Sequence, residues 1–427
     1  MELLDYLAND EKTPLFIALS PLSPTSPSRR RQCNDRVPAI LFAVQFPILL
    51  VMAYAVPTQP VEFLIPACVL RAFNAAYLLS TIFLAISRIA PRNFITSSRI
   101  TGLIICFGSG IYCIGAERPL EGLSFIVFGG LNMGLELFFS AGKRGSNTRL
   151  PGVMLDMSVE FGKGDLGIFA TAAIGALVVL KGWLWYAQQV IGVYAGHTES
   201  SGEKWVQLRF LSFCAQIAIY TFSTCWISAV ITNIVRSTIS GVYVSRYSLS
   251  SKPHSWPTLK ALENSLANIG SLAIGPIKAC SHLHDSSSYT YAYTSLHDVS
   301  YETASRNYSD ALEESGVASL LTSSNSIDSC LDSITALLSF TTAMWVCLYV
   351  YSVPSSYSEN KVHINALLAF ALWVGFQVSA LCMIPLRSGT ATIFTILASS
   401  PVAFKRDFPA QYYKILETSP EIEVEDV

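Results

Sequence analysis

Apolar positions in this chain gather into runs of about twenty residues, separated by short polar links, instead of alternating as they do on a strand or striping one face of a surface helix. A run of that length lets an α-helix, rising about 1.5 Å per residue, cross the roughly 30 Å hydrocarbon layer of a bilayer. Nine such cores are legible: Val37 to Val56, Phe63 to Ile89, Ile100 to Ile114, Leu120 to Phe139, Leu166 to Tyr186, Leu208 to Ile231, Ala261 to Ile277, Leu331 to Tyr351 and Ile364 to Ile384. The pattern predicts an all-α, polytopic helical membrane protein.

Basic residues orient it. Arg29, Arg30, Arg31 and Arg36 precede the first core, Arg88, Arg92 and Arg99 follow the second, and Lys143, Arg144, Arg149 and Lys163 follow the fourth. Loops rich in Lys and Arg stay cytosolic, which places the N-terminus inside. Nine crossings would put Lys405, Arg406 and Lys414 outside. A tenth crossing is therefore expected over "NIVRSTISGVYVSRYSL", Asn233 to Leu249, despite Arg236 and Arg246, giving about ten transmembrane helices with both termini cytosolic.

The polar remainder divides the chain further. Residues 1–36 contain "SPLSPTSPS" and are expected as a disordered cytosolic tail; 37–404 form the membrane domain, and 405–427 a second cytosolic tail. Within 281–330, Ala304, Tyr308, Ala311 and Leu312 recur at helical spacing and the pattern stops at Gly316. That predicts an amphipathic cytosolic insertion with a short helix lying on the membrane; an ordinary solvated linker is the alternative.

Composition agrees with lipid as the solvent: of 427 residues 51% are hydrophobic and 14% charged, and mean hydropathy is +0.43. With 28 basic and 30 acidic residues there is no nucleic-acid surface to expect. At the N-terminus the basic cluster follows the weak apolar stretch, the reverse of a cleavable signal. The ten cysteines include no C-x-x-C pair, and Cys68, Cys106, Cys113, Cys214, Cys225, Cys347 and Cys382 sit inside apolar runs, so packing is expected and no metal or cofactor. All six histidines lie outside the cores and no Walker-type phosphate loop is present, so enzyme chemistry, a membrane acyltransferase included, and ATP-driven pumping are not expected.

Four segments, in order, resemble the choline transporter-like family, especially its fungal branch, the pH-nine-sensitive proteins. "WISAVITNIVRSTISGVYVSRY" (Trp226 to Tyr247) is similar to the family's W-T-x-x-V-I-x-N block; "LKALENSLANIGSLAIGPI" (Leu259 to Ile277) to its Ser-x-Gly-Ser helix. "YAYTSLHDVSYETASRNYSDALEESGVASLL" (Tyr291 to Leu321) resembles its Y-A-Y-T cytosolic helix, and "SGTATIFTILASSPVAFKRDFPAQYYKIL" its closing S-G-V-x-T-I-F block. His297-Asp298, Ser300 and Ser400 depart from the family pattern, which marks a divergent member. The resemblance implies a plasma-membrane transporter that moves choline or a related small organic cation by alternating access. A non-transporting scaffold or sensor that keeps the family's helices is the rival reading.

A quaternary ammonium has no N–H to donate, so aromatic faces must hold it. Aromatic side chains concentrate at Trp183, Trp185 and Tyr186, at Tyr220, Phe222 and Trp226, and at Tyr243 and Tyr247. Each group serves either a cavity or ordinary packing, and the first equally suits an interfacial belt. Ionisable residues inside apolar cores add Arg71, Glu136 and Lys181: Arg71 and Glu136 pair, or Glu136 meets the cation or a proton, or Glu136 and Lys181 reach the headgroups. Helix breaks expected near Gly241 and over "IGSLAIGPI" (Gly270, Gly275, Pro276) would free backbone groups for a substrate, or serve close helix packing. The candidate substrate-binding residues are Trp226, Tyr220, Asn233, Gly241, Tyr243, Gly270 and Glu136.

Overall fold

The computed structural model describes residues 35–55, 64–115, 117–142, 149–162, 165–199, 206–247, 256–281, 288–314, 318–352 and 361–418. The expected N-terminal tail as far as residue 34, residues 419–427, and the links carrying Lys143, Arg144, Lys163 and Lys252 lie outside the described residues.

The described chain is helical: α1 (Arg36–Ala55), α2 (Leu64–Ile89), α3 (Phe94–Gly115), α4 (Pro119–Gly142), α5 (Arg149–Gly162), α6 (Leu166–Glu199), α7 (Val206–Tyr247), α8 (Pro257–Ala267), α9 (Ile269–Ser281), α10 (Ser288–His297), α11 (Tyr301–Glu314), α12 (Ala318–Ser352), α13 (Lys361–Ser399), α14 (Pro401–Asp407) and α15 (Pro409–Thr418). Among the described residues seven helices are long and apolar enough to cross a membrane: α1, α2, α3, α6, α7, α12 and α13. The fourth core lies on α4, and the seventh is divided between α8 and α9.

The expected tenth crossing is not a separate helix. Asn233 to Tyr247 continues the sixth core without a turn, making α7 a single helix of 42 residues, about 63 Å long at the α-helical rise. Gly241 does not break it, because that glycine is where α8 packs: a Cβ there would lie 3.1 Å from Ala261 Cβ. Pairings along α7 give the directions of α8, α9 and α10. Trp226 meets Ala273, Asn233 meets Leu272 and Thr238 meets Ser265, so α8 and α9 run antiparallel to α7; Asn233 also meets Tyr291, and Ser237 meets Ser295, so α10 runs parallel to it. The chain climbs α7 through α8 and α9 and comes back down through α10.

One end of the bundle is basic. Arg92 pairs with Asp156 on α5 at 3.1 Å, Arg246 pairs with Asp165 at 3.2 Å and donates to the Phe161 carbonyl, and Phe161 and Tyr247 both pack on Phe408, beside Arg406. The C-terminal Lys405 and Arg406 therefore share an end with Arg92 and Arg246. α10 runs back towards this end alongside α7. α5 itself lies where the basic link was expected; Leu150, Met154, Leu155 and Met157 bury its apolar face.

At the centre stands α13, whose positions from Val378 to Ala398 are almost all buried. Its threonine hydroxyls are satisfied locally: Thr390, Thr392 and Thr395 donate to the carbonyls of Leu386, Ser388 and Ala391, the arrangement that keeps a polar atom harmless away from water. α3 and α4 cross closely enough that a Cβ on Gly110 would lie 2.9 Å from the Gly122 carbonyl oxygen, the small-residue contact typical of helices in lipid. α11 is present as an amphipathic helix, and its Ala304 and Tyr308 are buried against protein, Tyr308 stacking on Tyr289 at 5.6 Å. The side chains of Ala311 and Leu312 lie outside the described residues. Cys68, Cys106, Cys113, Cys347 and Cys382 are unbridged and buried as packing residues, whereas Cys214 is exposed.

Candidate functional site: the interrupted helix against α7

Asn268 leaves the helical region (φ −96°, ψ 23°) and separates α8 from α9. Its side-chain Nδ2 donates to Asp298 Oδ1 at 2.8 Å. Asp298 closes α10 in a left-handed conformation, φ 54°, which a short polar side chain tolerates. Three residues on, Ser271 Oγ donates to Asp35 Oδ2 at 2.6 Å, and Asp35, also left-handed at φ 57°, stands immediately before α1. Two carboxylates thus approach the first turn of α9, where the helix dipole is positive and favours them.

Pro276 governs the next turn. Having no N–H, it leaves the Leu272 carbonyl, four residues back, without its helical donor. Asn233 Nδ2 supplies one from α7 at 3.2 Å and donates also to Tyr291 Oη at 2.8 Å. Trp226 Nε1 donates to the neighbouring Ala273 carbonyl at 3.0 Å, while its ring meets Phe42 edge-on at 5.7 Å. Gly275 has no room for a side chain: a Cβ would overlap the Tyr291 hydroxyl and lie 3.3 Å from the Tyr301 ring. Tyr291 and Tyr301 are almost fully buried, 5.3 Å apart. Burial, with Tyr301 beside it, pushes the Tyr291 hydroxyl well above the usual tyrosine value, so it remains a neutral donor and acceptor.

Of the residues expected at a site, the structure brings Trp226 and Asn233 onto α9, and buries Gly270 in the first turn of that helix. Gly241 marks the crossing with α8. Tyr243 faces the basic end, its hydroxyl donating to the Ser158 carbonyl at 3.1 Å. Tyr220 is buried in the other direction, edge-on to Trp185 at 5.8 Å. Glu136 belongs to α4, and its side chain lies outside the described residues.

Of the remaining aromatic candidates, Phe222 is exposed, Tyr247 stacks on Phe404 and Phe408 at the basic end, and Trp183 and Tyr186 close on each other. Trp183 is 3% exposed and meets Tyr186, Phe370 and Trp373 at 5.3, 6.1 and 5.7 Å, edge-to-face packing distances that leave no gap for a cation between the rings. Arg71 stacks on the Tyr349 ring at 3.7 Å.

Several residues here are not visible to hydrophobic periodicity: Asp35, Asp298, Tyr291 and Tyr301, and a charged group nearer the basic end. In that group Arg387 of α13 pairs with Asp332 and, at 3.2 Å, with Asp328, both of α12. Tyr289 Oη donates to Asp328 at 3.4 Å, and Arg236 of α7 lies within electrostatic reach of both carboxylates. The one signal in the sequence was Pro276 in an apolar run, since its orphaned carbonyl requires a donor from another helix.

Comparison with known proteins agrees with these elements. The family described as plasma-membrane choline transporter matches residues 281–401, from the last residue of α9 to the start of α14. Protein PNS1 of Saccharomyces cerevisiae is 23% identical over 401 residues, which cover 81% of this chain and 72% of that protein. Protein PNS1 of Gibberella zeae is 22% identical (82% and 72% covered), and Protein pns1 of Aspergillus fumigatus 23% (79% and 71%). The similarity extends well into the N-terminal half, beyond the four segments that carry the motif resemblance. An all-α polytopic membrane protein with these relatives and this matched segment is a divergent relative of the choline transporter-like family.

Proposed function

We propose that this protein moves choline or a related small organic cation across the plasma membrane by alternating exposure of a site beside α9, with both termini on the cytosolic side. Residues 37–404 are the transporting unit in this reading, and 405–427 a cytosolic tail. The observation that carries it is the pair of α9 carbonyls, Leu272 and Ala273, held by Asn233 and Trp226 next to the Tyr291–Tyr301 pair. Carbonyls beside a helix break together with aromatic faces are the groups that hold a cation lacking N–H donors. Asn233 and Trp226 are donors that a rearranging α7 would withdraw.

The test is uptake of labelled choline into proteoliposomes of the purified chain, with empty liposomes and excess unlabelled choline as controls. Saturable, competed uptake that Trp226→Ala lowers, with folded protein unchanged in amount, is the expected result. Parallel loss of folded protein and uptake would return Trp226 to packing. A specific observation favours the scaffold reading as second: the Trp226 indole and Asn233 amide are already engaged with α9. Absence of choline binding, with the protein folded, would put that reading first.

A further inference from the structure

The charged group between α7, α12 and α13 is balanced in sign and unequal in bonding. Asp328 and Asp332, one turn apart on α12, are both engaged by Arg387 of α13, whose guanidinium also reaches the Asp328 carbonyl. Asp328 receives Tyr289 Oη from α10 as well. Arg236 is the second cation of the group. It donates to no acceptor among the described residues, its Nε is buried without a partner, and its guanidinium lies 5.5 Å from the Tyr291 ring centroid. Two carboxylates serve two arginines, and one arginine holds both.

Asp328 is partly buried, and a carboxylate partly withdrawn from water loses free energy when it is separated from its cation, so a helix carrying one moves easily only if a second cation is placed to receive it. Arg236 stands on α7, the helix whose side chains hold α9, whereas Arg387 stands on α13. We propose that Arg236 is the alternative partner of Asp328: in a second conformation of the basic end, Asp328 passes from Arg387 to Arg236 as α7 approaches α12 and draws away from α10. No bond is made or broken other than the ion pair, and charge within the group is conserved. The exchange supplies the gate for the alternating access proposed above and rests on that reading for its purpose. The structural change itself needs no substrate.

It can be read at Ser295, on α10, whose hydroxyl lies 3.0 Å from that of Ser237 on α7. A Ser295→Cys thiol is covered by α7 in the present conformation and uncovered in the second. Labelling by a membrane-impermeant maleimide from the basic side, quantified on the peptide containing residue 295, measures the population without any ligand. Arg387→Met should raise the labelling rate by about tenfold, and Arg236→Met should lower it by a similar factor, in the usual range of coupling between states. If Arg236 were merely a packing residue, its removal would loosen the α7–α10 contact and raise labelling. An increase or no change in Arg236→Met overturns the exchange. Should Arg387→Met not fold, Arg387→Lys, which keeps the charge without a fork to span two carboxylates, carries the same expectation. Failure to transport choline would leave these rates untouched.

Discussion

The two halves of α7 differ although one helix carries both. Towards the apolar end, Tyr220 packs on Trp185, Phe222 and Ile219 are exposed where lipid would lie, and Thr221 bonds Tyr186 while donating to its own helix at Ile217. Towards the basic end the helix presents Asn233, Arg236, Ser237, Thr238 and Ser240, and Asn233, Ser237 and Thr238 bond α8, α9 or α10. Apolar rings can slide on one another at little cost, but a buried polar group must find a particular partner or lose free energy. The apolar half is therefore tolerant of sequence, and the basic half is specified residue by residue.

Asn233→Leu tests that contrast most severely. It keeps the branched side-chain shape and strands the Leu272 carbonyl and one acceptor site of Tyr291, at a cost of about 2 kcal/mol by the scale of interhelical hydrogen bonds in lipid. Denaturant unfolding in bicelles would measure it. Gly275→Ala comes next, pressing a methyl into the Tyr291 hydroxyl and costing roughly 1.5 kcal/mol as an overpacked site. In the other half, Tyr186→Phe loses one bond to Thr221, whose own donation to Ile217 persists; about 0.5 kcal/mol is expected. If Tyr186→Phe proved as damaging as Asn233→Leu, the contrast between the halves would fail.

The same contrast explains what could be read from the sequence. Length and apolarity select α1, α2, α6, α12 and α13, because crossing lipid is a one-dimensional requirement that each segment meets alone. α5 is amphipathic and too short to span, so its burial by Leu150 and Met154 depends on neighbours that sequence spacing does not name. Asn233 to Tyr247 could not be recognised as a continuation of α7, since a polar stripe reads equally as a link or as a helix whose partners are elsewhere. Trp226, Asn233 and Gly270 were found through motif resemblance and the Pro276 break. Asp35 and Asp298 were not, because their contacts cross from the start of α1 and the end of α10 to the turn at Asn268.

The mildest lever separates the halves by pH. His297 ends α10, its ring 4.3 Å from Tyr293 and its Nε2 buried without a hydrogen-bond partner. Burial holds the imidazole below its ordinary value, so the folded protein takes up this proton less readily than the unfolded chain does. As pH falls through about 6.5 the unfolded chain gains the proton first, and stability that is intact above that range is lost below it. Asp298 adjoins it in the chain, but its Oδ1 is already engaged by Asn268, so it offers the imidazolium little compensation. Amide exchange at pH 7.5 and 5.5, compared between the native chain and His297→Gln, should show protection falling with acid along α10 and α11 in the native chain, and much less in the variant. α6 should be unaffected in both. Equal acid sensitivity in the two proteins would place the titrating group elsewhere and remove His297 as the reason the basic half responds to pH.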